Sequence, residues 1–336
     1  MVTFSCWTFN ENHSLDDIAQ EISSNTQKYI STDCSLTIST IHGFDISTPN
    51  SINVLDKDIN FLFFTLCVNY SNQSQNQDMD VLIYEFEGSI KINAFRGQKT
   101  AHKYLKLYFC DDFLGKPIDD KPEISEDLLY WIFKSFIDTP RSPLYHSNCL
   151  YIKSLKRYRG VTKDQNNTLM GEGDRISDIL GTLAFLLDND DLKMLRPKIT
   201  YTDQNSNHTL LIDVRLTGTL KFDMSHYSGN FVFDDNLNKL KIILSIFYSR
   251  IILPIIVSSY KKARIDDIWS PILKRDFIIR IGDKIKTRVD IELQKLNNEI
   301  ENEKEKEIAF NNSFATYPNP SDDYDLDYDD VDDLDE

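Results

Sequence analysis

Residues 61–95 read FLFFTLCVNY-SNQSQNQDMD-VLIYEFEGSI-KINAF, and this stretch decides the fold class. Phe61 to Tyr70 is a mostly apolar, aromatic-rich run of strand length, the pattern of a buried strand. The polar SNQSQNQDMD at 71–80 interrupts it. Two further strand-like runs follow at 81–86 and 89–95, with Gly88 marking a turn or bulge between them. Such runs, separated only by polar breaks, predict an antiparallel set.

Working outward, Val2–Phe9 and Cys34–Ile41 also read as strands. Between them Ser14 and Asp17 form a capping box ahead of Leu15, Ile18, Ala19 and Ile22, which recur at helical spacing. KYLKLYF at 103–109 alternates and predicts another strand. A helix over 125–137 follows, ended by Pro140 and Pro143. Asn148–Leu155 predicts a strand, continued by a basic, polar connection to Gly173. Asp174 then caps a helix over 175–187. Strands near 198–203 and 209–222 flank the polar QNSN at 204–207, and Asn236–Tyr260 predicts a long apolar helix kinked at Pro254. The last helix covers 283–308, where Ile285, Val289, Leu293, Leu296 and Ile300 recur at spacings of four, four, three and four.

Strands early and helices late argue for an α+β fold. The expectation is a mostly antiparallel sheet in the N-terminal half with helices packed on it, long C-terminal helices and a disordered acidic C-terminal tail. One body covers 1–310, with 156–173 the one linker-like stretch, and 311–336 is the tail.

The chain has 336 residues, 41% hydrophobic and 27% charged, with net charge −16. That apolar fraction excludes a disordered or collagen-like chain. Residues 321–336, SDDYDLDYDDVDDLDE, carry ten acids and no base, so residues 1–320 hold only −6 of the total. Five widely spaced cysteines without a C-x-x-C argue against a disulfide framework or zinc site and for a reducing compartment. The N-terminus does not resemble a signal peptide. The apolar stretch at 242–257, broken by Arg250 and Pro254, is too short for a transmembrane segment. A cytoplasmic or nuclear location is expected.

Two segments stand out as candidate sites. In the tail, Asp322, Asp323, Asp325, Asp327, Asp329, Asp330, Asp332, Asp333, Asp335 and Glu336 alternate with Tyr324, Leu326 and Tyr328. That mixture stays disordered alone yet suits docking on a basic surface with apolar anchors, either a partner's or the chain's own Lys274, Arg275, Arg280, Lys284, Lys286 and Arg288. The second is the basic loop Lys153, Lys156, Arg157, Tyr158, Arg159 and Lys163, where cations beside aromatic rings suit a phosphate or nucleic-acid contact.

Other arrangements fall short of chemistry. Gly171-Glu172-Gly173-Asp174 carries acids where a phosphate loop needs none. Asp213-Val214-Arg215 resembles a nuclease strand only superficially, because its base is an arginine. The six histidines are scattered, and no G-x-S-x-G elbow occurs. No metal site and no cofactor are expected. The leading expectation is a non-catalytic interaction or assembly protein, a complex subunit or chaperone-like factor with a basic protein partner. The alternatives are an enzyme holding a phosphorylated or nucleic-acid substrate at 153–163, and a lipid-associated protein using helix 236–260.

Overall fold

The strands of this chain, many of them alternating apolar and polar side chains, assemble into one antiparallel sheet. The structure is a computed structural model, and it describes residues 1–9, 13–31, 34–70, 77–109, 115–140, 142–161, 168–173, 191–233 and 236–314. The predicted helix 175–187, Cys110, Lys163 and residues 315–336 of the acidic-aromatic tail lie outside the described residues, while 311–314 of that tail are helical.

The strands are β1 (Val2–Phe9), β2 (Gln27–Ser31), β3 (Cys34–Thr40), β4 (Asn50–Val54), β5 (Lys57–Tyr70), β6 (Gln77–Phe86) and β7 (Ser89–Ala94). They continue with β8 (Pro117–Asp119), β9 (Leu150–Val161), β10 (Thr168–Glu172), β11 (Asp191–Thr202), β12 (Asn207–Arg215) and β13 (Thr219–Ser228). The sheet order is β10-β9-β11-β12-β13-β1-β7-β6-β5-β3-β2, with β4 pairing β5 and β8 pairing β1. First and last strands thus meet in the middle, where β1 joins an N-terminal to a C-terminal half. The sheet is not confined to the N-terminal half.

The deciding stretch behaves as its pattern requires. β5 pairs β6 from Phe61↔Tyr84 to Val68↔Gln77, and β6 returns into β7 through Glu87 and Gly88, both at positive φ (51° and 73°). Two left-handed residues match the twist of a tight hairpin, and glycine takes one of them without strain. Phe61, Leu62, Phe63 and Phe64 are all buried because β5 is covered on both faces. Leu62 and Phe64 join the cluster beneath α1 (Leu15–Ser24) and α2 (Gln98–Phe109). Phe61 and Phe63 meet Phe44 on the other face, at ring distances of 5.8 and 5.4 Å.

The capping box is present: the Asp17 amide donates to Ser14 Oγ at 3.1 Å, and the Ser14 amide to Asp17 Oδ2 at 3.3 Å. The expected strand at 103–109 is instead the second half of α2. Ala101, Tyr104, Leu105, Tyr108 and Phe109 are its buried residues, spaced three, one, three and one apart, and that helical stripe outweighs the short alternation within it. The predicted strand 209–222 is two strands, β12 and β13, turned at Gly218 (φ 70°). Helix α3 (Glu126–Asp138) is capped by Ser125, whose Oγ accepts from the Leu128 amide at 3.1 Å.

The long apolar segment forms α4 (Leu237–Ile246), a π-helical turn (Phe247–Ile252) and α5 (Leu253–Ile265) without a break. The Leu253 amide reaches back five residues to the Tyr248 carbonyl, and Pro254 brings no amide hydrogen, so the ladder is re-phased here. This helical run is long and apolar enough, by length and composition, to cross a membrane, with mean hydropathy 2.1 over its most apolar window. Two thirds of that window (67%) is buried inside the protein. Phe4 of β1 packs on Tyr248 at 6.1 Å between ring centres, and Asn93 Nδ2 donates to Ser245 Oγ at 3.2 Å.

The last helix, α6, spans Pro271–Phe314, starting twelve residues before the predicted one. Pro271 at its first position lacks only an amide hydrogen that a helix start leaves unused. The chain divides into two compact units, Met1–Gly282 and Asp283–Glu336, with the boundary inside α6.

Candidate functional site

The basic segment is a strand rather than a loop. Lys153, Lys156, Arg157, Tyr158 and Arg159 all lie on β9, and β10 returns beside it. Facing cross-strand partners share a sheet face. Arg157 is opposite Glu172 of β10 and Arg196 of β11, and Lys221 of β13 is opposite Asp213 of β12 and Thr3 of β1. In the adjacent row Arg159 and Arg215 both oppose Met194. Two residues of the basic segment therefore share a face with Arg196, Arg215 and Lys221, which lie far away in sequence.

Most of these cations are committed to internal carboxylates. Asp213 is fully buried; Arg196 Nε and Nη2 donate to it at 2.5 and 3.2 Å, and Arg215 Nε and Nη2 at 3.1 and 2.6 Å. Arg157 pairs with Glu172. Burial, reinforced by Arg215 and Arg196, lowers the Lys221 ammonium below its ordinary pKa, against the raising effect of Asp213. Tyr158 is buried with its ring over Gly171, so it packs the sheet and presents no stacking platform. Lys153 and Arg159 are exposed. A phosphate arriving here competes with Glu172 and Asp213 for the guanidinium groups.

The turn between β11 and β12 holds a second grouping. Ser206 Oγ donates to Asp203 Oδ2 at 2.8 Å and lies 2.7 Å from His208 Nε2, while His208 Nδ1 lies 2.7 Å from the Tyr227 hydroxyl. With the serine proton given to Asp203, Nε2 carries the imidazole hydrogen and the tyrosine donates to Nδ1. A hydrolytic triad needs the carboxylate on the histidine and the serine hydroxyl free to give its proton to that histidine. Here the carboxylate holds the serine proton, so the order builds a turn, not a nucleophile. Burial lowers the His208 pKa, partly offset by Asp203. Among the described residues no three His, Cys, Asp or Glu side chains group as metal ligands.

A pocket of about 260 Å³ opens between β1, β13, the segment after β8, and α5. Leu220, Leu253, Pro254, Val257 and Pro122 form apolar walls, and Cys6, Ser249, Asp120 and Arg250 supply the polar lining, with Lys121, Glu123 and Lys261 completing it. The π-helical turn places Arg250 here. Its Nε donates to Tyr84 Oη at 2.8 Å and its Nη1 pairs with Asp120 Oδ2 at 2.8 Å. Lys91 shares the same carboxylate oxygen at 3.2 Å. Burial pushes the Cys6 thiol up to about 12, so it stays protonated and is no nucleophile at neutral pH.

The C-terminal unit has the opposite character. From Lys286 to Asn312 every residue of α6 is exposed. Its stripe at Val289, Leu293, Leu296 and Ile300 stands 42%, 52%, 52% and 48% exposed. Of the cations that sequence nominated to receive the tail, Arg280 donates to Asp138 at 3.0 and 2.8 Å, Lys274 lies 3.8 Å from Asp127, and Arg275 pairs with Asp276. Lys284, Lys286 and Arg288 are exposed on the helix.

Sequence reasoning missed Arg196, Lys221 and Asp120 and gave no site role to Arg215 or Arg250, because strand register and the π turn place them. The local signals were Arg215 in Asp213-Val214-Arg215 and Arg250, a charge inside an otherwise apolar helix. Comparison with known protein families and with curated proteins found no family model and no curated sequence that matches this chain.

Proposed function

We propose that the protein is a non-catalytic interaction or assembly protein, a complex subunit or chaperone-like factor, whose sheet body is a scaffold for its C-terminal helix and tail. The partner is a protein with a basic surface and an apolar groove. One observation carries this reading. The stripe Val289, Leu293, Leu296 and Ile300 lies exposed along α6 among many charged residues, the form of a helix that docks in a groove or pairs with another helix. The acids at Asp322–Glu336 add attraction for a basic partner, and attraction of that kind raises association rate and selects partners. The widely spaced cysteines of the sequence, with no C-x-x-C, are the ground for placing the protein in a reducing compartment, the cytosol or nucleus.

The test compares three forms of the full chain in affinity capture with quantitative mass spectrometry. They are the natural sequence, a stripe variant (Leu293→Gln, Leu296→Gln, Ile300→Gln), and a tail variant with Asp322, Asp323, Asp325, Asp327 and Asp329 changed to Asn. The reading expects a stoichiometric basic partner that the stripe variant loses and the tail variant holds less tightly as salt rises. Equal capture by all three forms refutes it.

A further inference from the structure

The pocket beside the π-helical turn brings together one more cation than the carboxylates that pair with its cations among the described residues. Lys91 and Arg250 are largely withdrawn from water, at 20% and 12% side-chain exposure, and they share the single carboxylate of Asp120. The nearby Lys121 and Lys261 are already matched, with Asp119 at 3.6 Å and Glu123 at 2.8 Å. The Arg250 guanidinium is also incompletely bonded. Nε and Nη1 have partners, but the buried Nη2 has no hydrogen-bond partner among the described residues. A buried donor without an acceptor costs about 1–3 kcal/mol, and more when the group is charged. The feature is repeated in the backbone, since π turns are rare and concentrate at functional sites. Across the pocket the walls are aliphatic: Leu220, Leu253, Pro254 and Val257.

We propose that this pocket binds a small monocarboxylate with an apolar body, its carboxylate taken by Arg250 and its body lying against Leu253, Pro254 and Val257. The carboxylate supplies the missing negative charge, and Nη2, which has no accessible surface of its own, gains an acceptor only as the guanidinium turns toward the pocket. A guanidinium suits a carboxylate better than an ammonium does, through its planar, multi-donor geometry. Asp120 does not repel the ligand decisively, because two cations already neutralise it. The volume of about 260 Å³ is ample for a short-chain or aromatic acid, and octanoate and benzoate are probes of that class. The thiol of Cys6 stays neutral, so the step is binding and no covalent bond forms. This inference is independent of the partner-docking reading, since every residue involved lies in the unit Met1–Gly282.

Isothermal titration of the full chain with octanoate and benzoate tests it, with octanol and octylammonium as controls. Saturable one-to-one binding of the carboxylates, with neither control competing, is expected. Val257→Trp fills the pocket from its aliphatic wall while leaving residue 250 an arginine, and is expected to abolish binding while the thermal unfolding transition stays cooperative. Arg250→Lys keeps the charge but loses the fork, and is expected to bind about tenfold more weakly. No binding of either carboxylate, equal binding of octanol, or undiminished binding by a folded Val257→Trp overturns the proposal. If Arg250→Lys fails to fold, Val257→Trp alone decides.

Discussion

Replacing Asp213 by Ala removes the carboxylate that holds Arg196 and Arg215, and its consequence follows from the geometry. Four guanidinium hydrogen bonds end on this one fully buried group. At about 1.5–3 kcal/mol for each charged hydrogen bond the sum would exceed 6 kcal/mol. The bonds are not additive, however, because Arg215 is 21% exposed and can turn to water. Arg196, at 9%, cannot do so readily, and it is left beside Arg157 on the neighbouring strand. Breaking a buried ion pair by removing one partner costs about 3–5 kcal/mol, so about 4 kcal/mol is the expected loss. At about 2–4 °C per kcal/mol for a body of this size, the melting temperature falls by roughly 8–16 °C. Urea unfolding followed by far-UV circular dichroism reads the change as a lower midpoint at unchanged slope. Asp213→Asn, which still accepts hydrogen bonds, is expected to fall between, and Asp213→Leu with Arg196→Met is expected to recover much of the loss. A single Asp213→Ala variant within about 1 kcal/mol of the natural protein would show that these arginines are not committed internally, and the phosphate-holding reading of β9 would regain its footing.

Three further outcomes follow from named contacts. Burial holds the His208 pKa below 6.5, so the unfolded state takes up a proton first as pH falls. The stability this histidine contributes is present above pH 6.5 and is lost as pH falls from there toward the folded-state pKa; in His208→Gln that portion of the pH slope disappears, as chemical unfolding at stepped pH will show. Gly171→Ala places a Cβ 2.2 Å from the Tyr158 ring and is expected to cost about 1–3 kcal/mol, with a double-mutant cycle against Tyr158→Leu giving a relieving coupling. Ser14→Ala removes the cap on α1 and is expected to cost about 1 kcal/mol in the same unfolding assay.

Local chemistry made part of this fold legible. The hairpin β6–β7, the Ser14–Asp17 box and helix α3 are each written within fewer than twenty residues of sequence, and each stands where its pattern put it. The misreading at 103–109 came from too narrow a window, since Ala101 and Phe109 are needed to see the helical stripe. β9 was cut short at Leu155 because Lys156, Arg157 and Arg159 look like a solvated connection until β11 and β12 bring Asp213 and Glu172 is set alongside. The pocket was the least legible feature. Its lining runs from Cys6 to Lys261, and Arg250 reaches it from within the π-helical turn Phe247–Ile252. By contrast, the exposed stripe on α6 was visible as spacing in the sequence, and the structure adds that it is uncovered.

The central claim, that this stripe contacts a partner protein, is tested most directly by photo-crosslinking in cells. A benzophenone amino acid is placed at Leu296, in the stripe, or at Asn298, on the opposite side of the same helix turn. The account predicts a single discrete adduct from position 296 and none from 298. No adduct at either position, or the same adducts at both, would contradict it.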